Sequence, residues 1–244
     1  MIAVPSENRL TRTECGTLWL EVSRTLCGLR CSGALWLEGE GALIAGDLHL
    51  EKGSARAHRG ALLPPYDTRT TLDALEAELD RLHVRTLILL GDSFHDPRAV
   101  RRLAPDDAAR IAALSSGRTL IWVEGNHDIR NGESALAGLP GEVVEAVTLA
   151  GLRFVHEPRA GLSPGEVAGH LHPAVRVASH GRSVRRRAFL TDGRRLILPA
   201  FGAYAGGLNA LDPAFRSLFE RPPIAAALSD DKVRALPWSS LRPD

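Results

Sequence analysis

Apolar and polar positions along this chain change rhythm near its middle. In the first half, residues 17–22 and 34–38 read as short strands, and residues 42–45 as an apolar strand that ends at Gly46-Asp47. Residues 53–69 carry Gly, Pro and Arg without a period and read as a surface loop. Leu72, Leu75, Leu79 and Leu82 then recur at helical spacing, which predicts a helix over 71–82 with Thr70 or Thr71 as its N-cap. Residues 86–90 form a buried strand ending in Gly91-Asp92. A helix over 105–114 leads to the next buried strand at 119–123, ending in Gly125-Asn126-His127-Asp128. This is the strand–helix–strand order of a parallel sheet with crossover helices. The second half instead shows short strands at 143–149, 152–155, 167–169, 175–179, 188–191 and 195–198, with a hairpin signal at Asp192-Gly193. Residues 212–219 read as a short helix and 232–236 as a late strand. The assembly predicted is α/β, two facing mixed β-sheets flanked by helices, in one domain over 1–244 with a frayed stretch at 1–10.

Composition narrows the setting. With 244 residues and 44% hydrophobic content, the chain can bury a sizeable core. No apolar stretch approaches the roughly 18 residues a membrane span needs, and Met1 opens no signal-peptide pattern, so a cytoplasmic protein without membrane contact is expected. A formal charge of +1 selects no partner, so a nucleic-acid signal has to come from local clusters. Cys15, Cys27 and Cys31 are too few for a disulfide framework and read as ordinary reduced cysteines.

Seven side chains of metal-ligating type change the picture. Asp47, His49, Asp92, Asn126, His156, His170 and His172 each follow an apolar run. In open α/β sheets ligands bind beyond the carboxyl ends of strands, so these loops can converge on one crevice. In Asp47-Leu48-His49 the alternation of side chains points two ligands the same way, and His170-Leu171-His172 repeats the arrangement. A single Gly-Asp after a strand is usually a turn, and a lone His on a strand is usually a hydrogen-bonded core residue. The ordered set is neither. Carboxylate, imidazole and one amide oxygen without thiolate suit Mn, Fe or Zn, and seven ligands suit two ions sharing one carboxylate.

The series Asp-x-His, Gly-Asp, Gly-Asn-His-Asp, a single His and Gly-His-x-His, over residues 47–172, resembles the signature of the calcineurin-like metallophosphoesterases. Finer wording resembles the bacterial DNA ligase-associated branch: Asp47-Leu48-His49-Leu50-Glu51-Lys52-Gly53, Gly91-Asp92-Ser93-Phe94-His95-Asp96 and Leu198-Pro199-Ala200-Phe201-Gly202-Ala203-Tyr204. One departure is His156-Glu157-Pro158, where the wider superfamily often has His-Gly. The resemblance implies one metal on Asp47, His49 and His172, another on Asn126, His156 and His170, and Asp92 as the bridge. It places His127 at the scissile phosphate, stabilising the transition state or protonating the leaving oxygen, with Asp128 orienting its ring. It also implies a manganese-dependent phosphodiesterase or nuclease acting on DNA in repair, functionally linked to an ATP-dependent DNA ligase and a helicase.

Local charge adds a modest signal for DNA, especially single-stranded DNA. His180, Arg182, Arg185, Arg186 and Arg187 follow the last ligands, Arg98, Arg101 and Arg102 follow Asp92, and Arg56, His58 and Arg59 follow His49. His95, close to Asp92, is a further candidate substrate contact. Phe201 and Tyr204 read as packing near a Gly-rich turn rather than as a base-stacking surface. Two rival readings use the same fold. A phosphomonoesterase or small-nucleotide phosphatase would need a closed pocket, and a non-catalytic scaffold in a repair assembly would show eroded ligands.

Overall fold

The computed structural model describes residues 11–12, 16–57, 60, 66–130, 132–179 and 182–244. The first elements are β1 (Thr11–Arg12), β2 (Leu18–Val22), β3 (Thr25–Leu29), β4 (Leu35–Leu37), β5 (Ala42–Gly46), α1 (Lys52–Ala57) and α2 (Asp67–Arg81). They continue with β6 (Thr86–Leu90), α3 (Pro105–Ala113), β7 (Thr119–Val123), β8 (Ile129–Arg130), β9 (Glu133–Ser134) and β10 (Glu142–Val144). The second half holds β11 (Ala146–Leu149), β12 (Leu152–Val155), β13 (Glu166–Ala168), β14 (Ala174–Ser179), β15 (Arg182–Thr191), β16 (Leu196–Ile197), β17 (Ile224–Leu228) and β18 (Val233–Leu236).

These strands build two eight-stranded sheets, with β8 and β9 paired separately. The first runs β1-β2-β3-β4-β5-β6-β7-β10, antiparallel up to β5 and parallel from β5 to β10. The second runs β11-β12-β13-β16-β15-β17-β18, with β14 paired to β15. Its β12, β13 and β16 are parallel. Alternation along β5, β6 and β7 explains the layering. Ile44, Ile88, Leu90, Ile121 and Val123 face the second sheet, against Phe154, Val167 and Phe189. Leu43, Leu87, Leu89, Leu120 and Trp122 face the other way, against Leu72 and Leu75 of α2 and Ile111 of α3. Each such side chain contributes about 1.5–3 kcal/mol on full burial. Parallel strands covered on both faces read as unbroken apolar runs, which is why these three were legible.

Several expectations are corrected. Among the described residues the α-helices lie on the first sheet. The outer face of the second is covered by Ala210, Phe215, Leu218, Phe219 and Leu241 from irregular segments, and the helix expected over 212–219 shrinks to a 3-10 turn at Pro213–Phe215. α2 starts at Asp67 rather than 71, and its N-cap Tyr66 makes no side-chain cap; Thr71 Oγ1 instead donates to Asp67 O. Asp67 and Thr68 are turned to α1, accepting from Gly53 N and Glu51 N at 2.9 Å each, so the presumed loop contains a short helix capped from its neighbour. The single strand expected over 143–149 is two. Glu145 separates β10, in the first sheet, from β11, in the second. Among the described residues no helix is long and apolar enough to cross a membrane.

Candidate metal centre

Every parallel strand that carries a motif ends at the same rim of the sandwich. Asp47 and His49 follow β5, Asp92 follows β6, Asn126 follows β7, His156 follows β12, and His170 and His172 follow β13. Neighbouring strand ends are stitched together there. Asp47 N donates to Gly91 O, His49 N to Asp92 O, and Gly169 N to His156 O. Backbone conformation at these loops is unusual. Nine described non-glycine residues have positive φ, and five are Asp47 (57°), His49 (46°), Asp92 (46°), His170 (66°) and His172 (46°). Left-handed backbone is uncommon for such residues and persists where the surroundings over-determine it, so strain is concentrated at the ligands.

Two groups of ligand atoms converge. Asp47, His49 and His172 form one, and Asp92, His156 and His170 the other. In the first, His49 Nε2 and His172 Nε2 lie 3.3 Å apart, and His172 Nε2 lies 3.0 Å from Asp47 Oδ1. In the second, His156 Nε2 lies 3.1 Å from His170 Nδ1, 3.4 Å from Asp92 Oδ1 and 3.0 Å from Asn126 Oδ1. Ligands about 2.1 Å from one ion sit about 3.0–3.4 Å from each other in octahedral or tetrahedral arrangements, so both groups fit a divalent cation. Asp92 reaches toward the first group as well, with Oδ2 3.9 Å from His49 Nε2. All seven side chains expected as ligands are therefore brought together, with Asp92 grouped with His156 and His170 and Asn126 joining them through His156. His156, at the departure from the superfamily wording, is central, and its Nδ1 donates to Leu90 O at 3.5 Å.

Titration behaviour in the absence of ions follows from this crowding. Burial, aided by His172, pushes the His49 imidazole down to about 3, leaving it a neutral donor. Burial and the charge of His156 also lower His170. Burial works against ionised Asp92, but hydrogen bonding and charge from His156 and the His127 amide outweigh it and bring the carboxyl down to about 2. Burial likewise opposes protonated His156, yet hydrogen bonding to Asp92 and the carboxylates of Asp47 and Asp92 raise it to about 8. A proton thus occupies the second group near neutral pH, and an ion has to displace it.

His127 stands over this centre, partly exposed. Its amide donates to Asp92 Oδ1 at 2.8 Å, and its Nε2 lies 3.9 Å from Asp92 Oδ2. The expected role of Asp128 is corrected. Asp128 does not orient the His127 ring; that ring is held through Nδ1, which donates to His95 O at 3.0 Å. The fully buried Asp128 carboxylate accepts from the amides of Phe94 (2.9 Å), Gly125 (3.1 Å) and Ser93 (3.2 Å). It ties the Asp92 loop to the Asn126 loop. Burial pushes its carboxyl up to about 7, against the pull of those amides.

The substrate-contact expectations divide. The His95 ring lies against His127, centroids 5.7 Å apart and planes 16° off parallel, so it is part of the site. Arg187 is not; burial lowers it, and it donates to Ala200 O (2.7 Å) and Phe201 O (3.0 Å). Arg102 is likewise structural, donating to Ser54 Oγ and pairing with Asp96 at 2.6 Å. Arg185 and Arg186 are exposed on β15. The side chain of Arg182, with His58, Arg59, His180 and Cys15, lies outside the described residues. Phe201 is buried in the core beneath the helices, while its amide donates to Gly46 O. Cys31 Sγ lies 3.7 Å from Gly16 O, and burial pushes the Cys27 thiol up to about 12.

Glycines make the close approach possible. A Cβ on Gly91, at φ +73°, would overlap the His156 ring, and one on Gly169 would overlap the Asp47 carboxylate. Neither role is visible in the sequence beyond the bare Gly-Asp and Gly-His pairs.

No family model matches the sequence, and no curated protein matches it. Among solved structures, the Pseudomonas putida nuclease MPE matches with a TM-score of 0.70 at 27% identity, over 90% of this chain and 100% of that one. Yfce, a phosphoesterase from E. coli, is more distant, at 19% identity over 80% of this chain and 98% of that one, with a TM-score of 0.39. The fold and the two candidate metal groups are consistent with a calcineurin-like metallophosphoesterase.

Proposed function

We propose that the protein is a binuclear, manganese-dependent phosphodiesterase that cleaves DNA, of the DNA ligase-associated branch and serving repair in the cytoplasm. The observation that carries the diester reading is the posture of His127. Donation from Nδ1 to the His95 carbonyl fixes the ring so that Nε2 faces the shared Asp92. On this reading a proton on Nε2 would serve the oxygen leaving a phosphodiester, which departs poorly as an alkoxide. The likeness to a nuclease over nearly the whole chain supports the same substrate class.

When bound, two divalent ions supply Lewis acidity to the phosphoryl oxygens and lower the pKa of a water. Asp47, His49 and His172 would hold one, and Asn126, His156 and His170 the other, with Asp92 between them. The protein's further part is positioning. Asp128 fixes the loops bearing Asp92 and Asn126, and the His95 ring lies beside the His127 ring as a wall for the substrate.

The test is hydrolysis of bis-p-nitrophenyl phosphate, p-nitrophenyl phosphate and single-stranded DNA with added Mn, with His127→Ala as the control. Cleavage of the diester and of DNA, lost in the control, is expected. Turnover confined to the monoester would replace this reading with a phosphatase, and no turnover with any metal would leave the scaffold.

A further inference from the structure

β14 and β15 set Arg176 directly opposite Arg185. Like charges in that position repel, and here one carboxylate stands between them. Asp244 Oδ1 lies 3.3 Å from Arg176 Nε and 3.1 Å from Arg185 Nε. Arg185 Nη2 also donates to Gly207 O at 2.7 Å. Gly207 in turn lies so close to the carbonyl of the ligand His172 that a Cβ there would overlap it. The arginine pair is thus one residue removed from the metal centre. Beside it opens a cavity of about 350 Å³, lined by Gly207, Leu208, Asn209, Leu211, Asp212, Pro243 and Asp244. Leu208 is exposed there, an apolar surface next to the amide of Asn209.

We infer that Arg176 and Arg185 form a backbone-phosphate subsite for the nucleic-acid strand flanking the cut, and that the Asp244 carboxylate holds this subsite until the strand displaces it. The inference rests on the phosphodiesterase reading and adds a path for the polymer. Three features support exchange. The side chains of Arg176, Arg185 and Asp244 are a third or more exposed, and ion pairs of that kind are weak, so the carboxylate leaves at little cost. A phosphodiester, like the carboxylate, shares one negative charge between two oxygens, so it can take the carboxylate's place between the paired guanidinium groups. The adjoining cavity offers the exposed apolar side chain of Leu208 for a base, while the Asn209 amide is committed to Arg242 O and Leu211 N. Arg187, two residues along the same strand face, is committed to carbonyls inside the protein and takes no part.

The experiment measures binding of a fluorescent single-stranded oligonucleotide to Mn-loaded full-length protein carrying His127→Ala to suppress cleavage, over a salt series. Adding Arg176→Gln is expected to weaken binding and to make the slope of log K against log salt shallower by about 0.7. Adding Asp244→Asn, an exposed change that removes the competing charge, is expected to tighten binding about two- to fivefold. Unchanged affinity and slope in both variants, with the parent still binding, would overturn the subsite and leave the nuclease reading intact. A parent that binds no DNA would overturn both.

Discussion

His127 Nδ1 donates to the carbonyl oxygen of His95 across 3.0 Å, so a backbone group rather than a carboxylate sets the ring. The carbonyl accepts only from a protonated Nδ1, which makes Nε2 the nitrogen that gains or loses a proton facing Asp92. His127→Ala should therefore lower kcat for bis-p-nitrophenyl phosphate by about 10²–10⁴. The two-metal stoichiometry should persist, because the ring is in neither ligand group and its amide contact with Asp92 survives. Steady-state kinetics with elemental analysis of the purified variant checks both, and loss of metal would reassign His127 to the ligand set.

Asp128→Asn should act on architecture. The carboxylate serves three backbone donors, from Ser93, Phe94 and Gly125. An amide keeps one acceptor oxygen and turns an NH2 toward a donor, leaving at least one buried amide unpaired at about 1–3 kcal/mol. The expected result is a lower Tm together with weaker metal binding, since the loops carrying Asp92 and Asn126 lose their tie. A variant with wild-type Tm and metal affinity would argue against that structural role.

What was legible in the sequence follows from range. β5, β6 and β7 are apolar runs closed by a ligand motif, so strand and site announced each other. β3 carries no clear strand pattern because Cys27 and Gly28 interrupt it. β17 carries no strand signal because its Ala-rich run gives no period. α1 depends on caps from Asp67 and Thr68, which only tertiary structure supplies. The seven converging side chains are legible because each sits on a local motif. Asp128 was misassigned because its partners are amides, which carry no sequence signal. Arg187 read as a surface charge although it shares the strand face of Phe189, a core residue. Period-two alternation was the available warning.

Gly91→Ala should damage the centre without touching a ligand. The added Cβ meets the His156 ring, and φ of +73° already disfavours any side chain. Overpacking of this kind costs about 1–3 kcal/mol, and the ring can relieve it only by leaving the second ligand group. Calorimetry and metal titration should show a lowered Tm and impaired binding at one of two sites. Unimpaired binding of both ions would show that His156 is not needed in place.

Metal affinity should depend on pH through His156. Its imidazole is raised to about 8 without ions, by hydrogen bonding and carboxylate charge that overcome burial. An ion needs the neutral ring, so protons compete wherever the pH lies below that value. Below about pH 8, affinity at the second group should fall about tenfold for each unit of acidification, as one displaced proton requires, and above it the dependence should flatten. His49, pushed down to about 3, is already neutral over this range, so the first group should respond less. Calorimetric Mn titrations between pH 6 and 9 (an experimental window of about three units around neutrality) would separate the two sites. Equal slopes at both would mean that His156 carries no special proton.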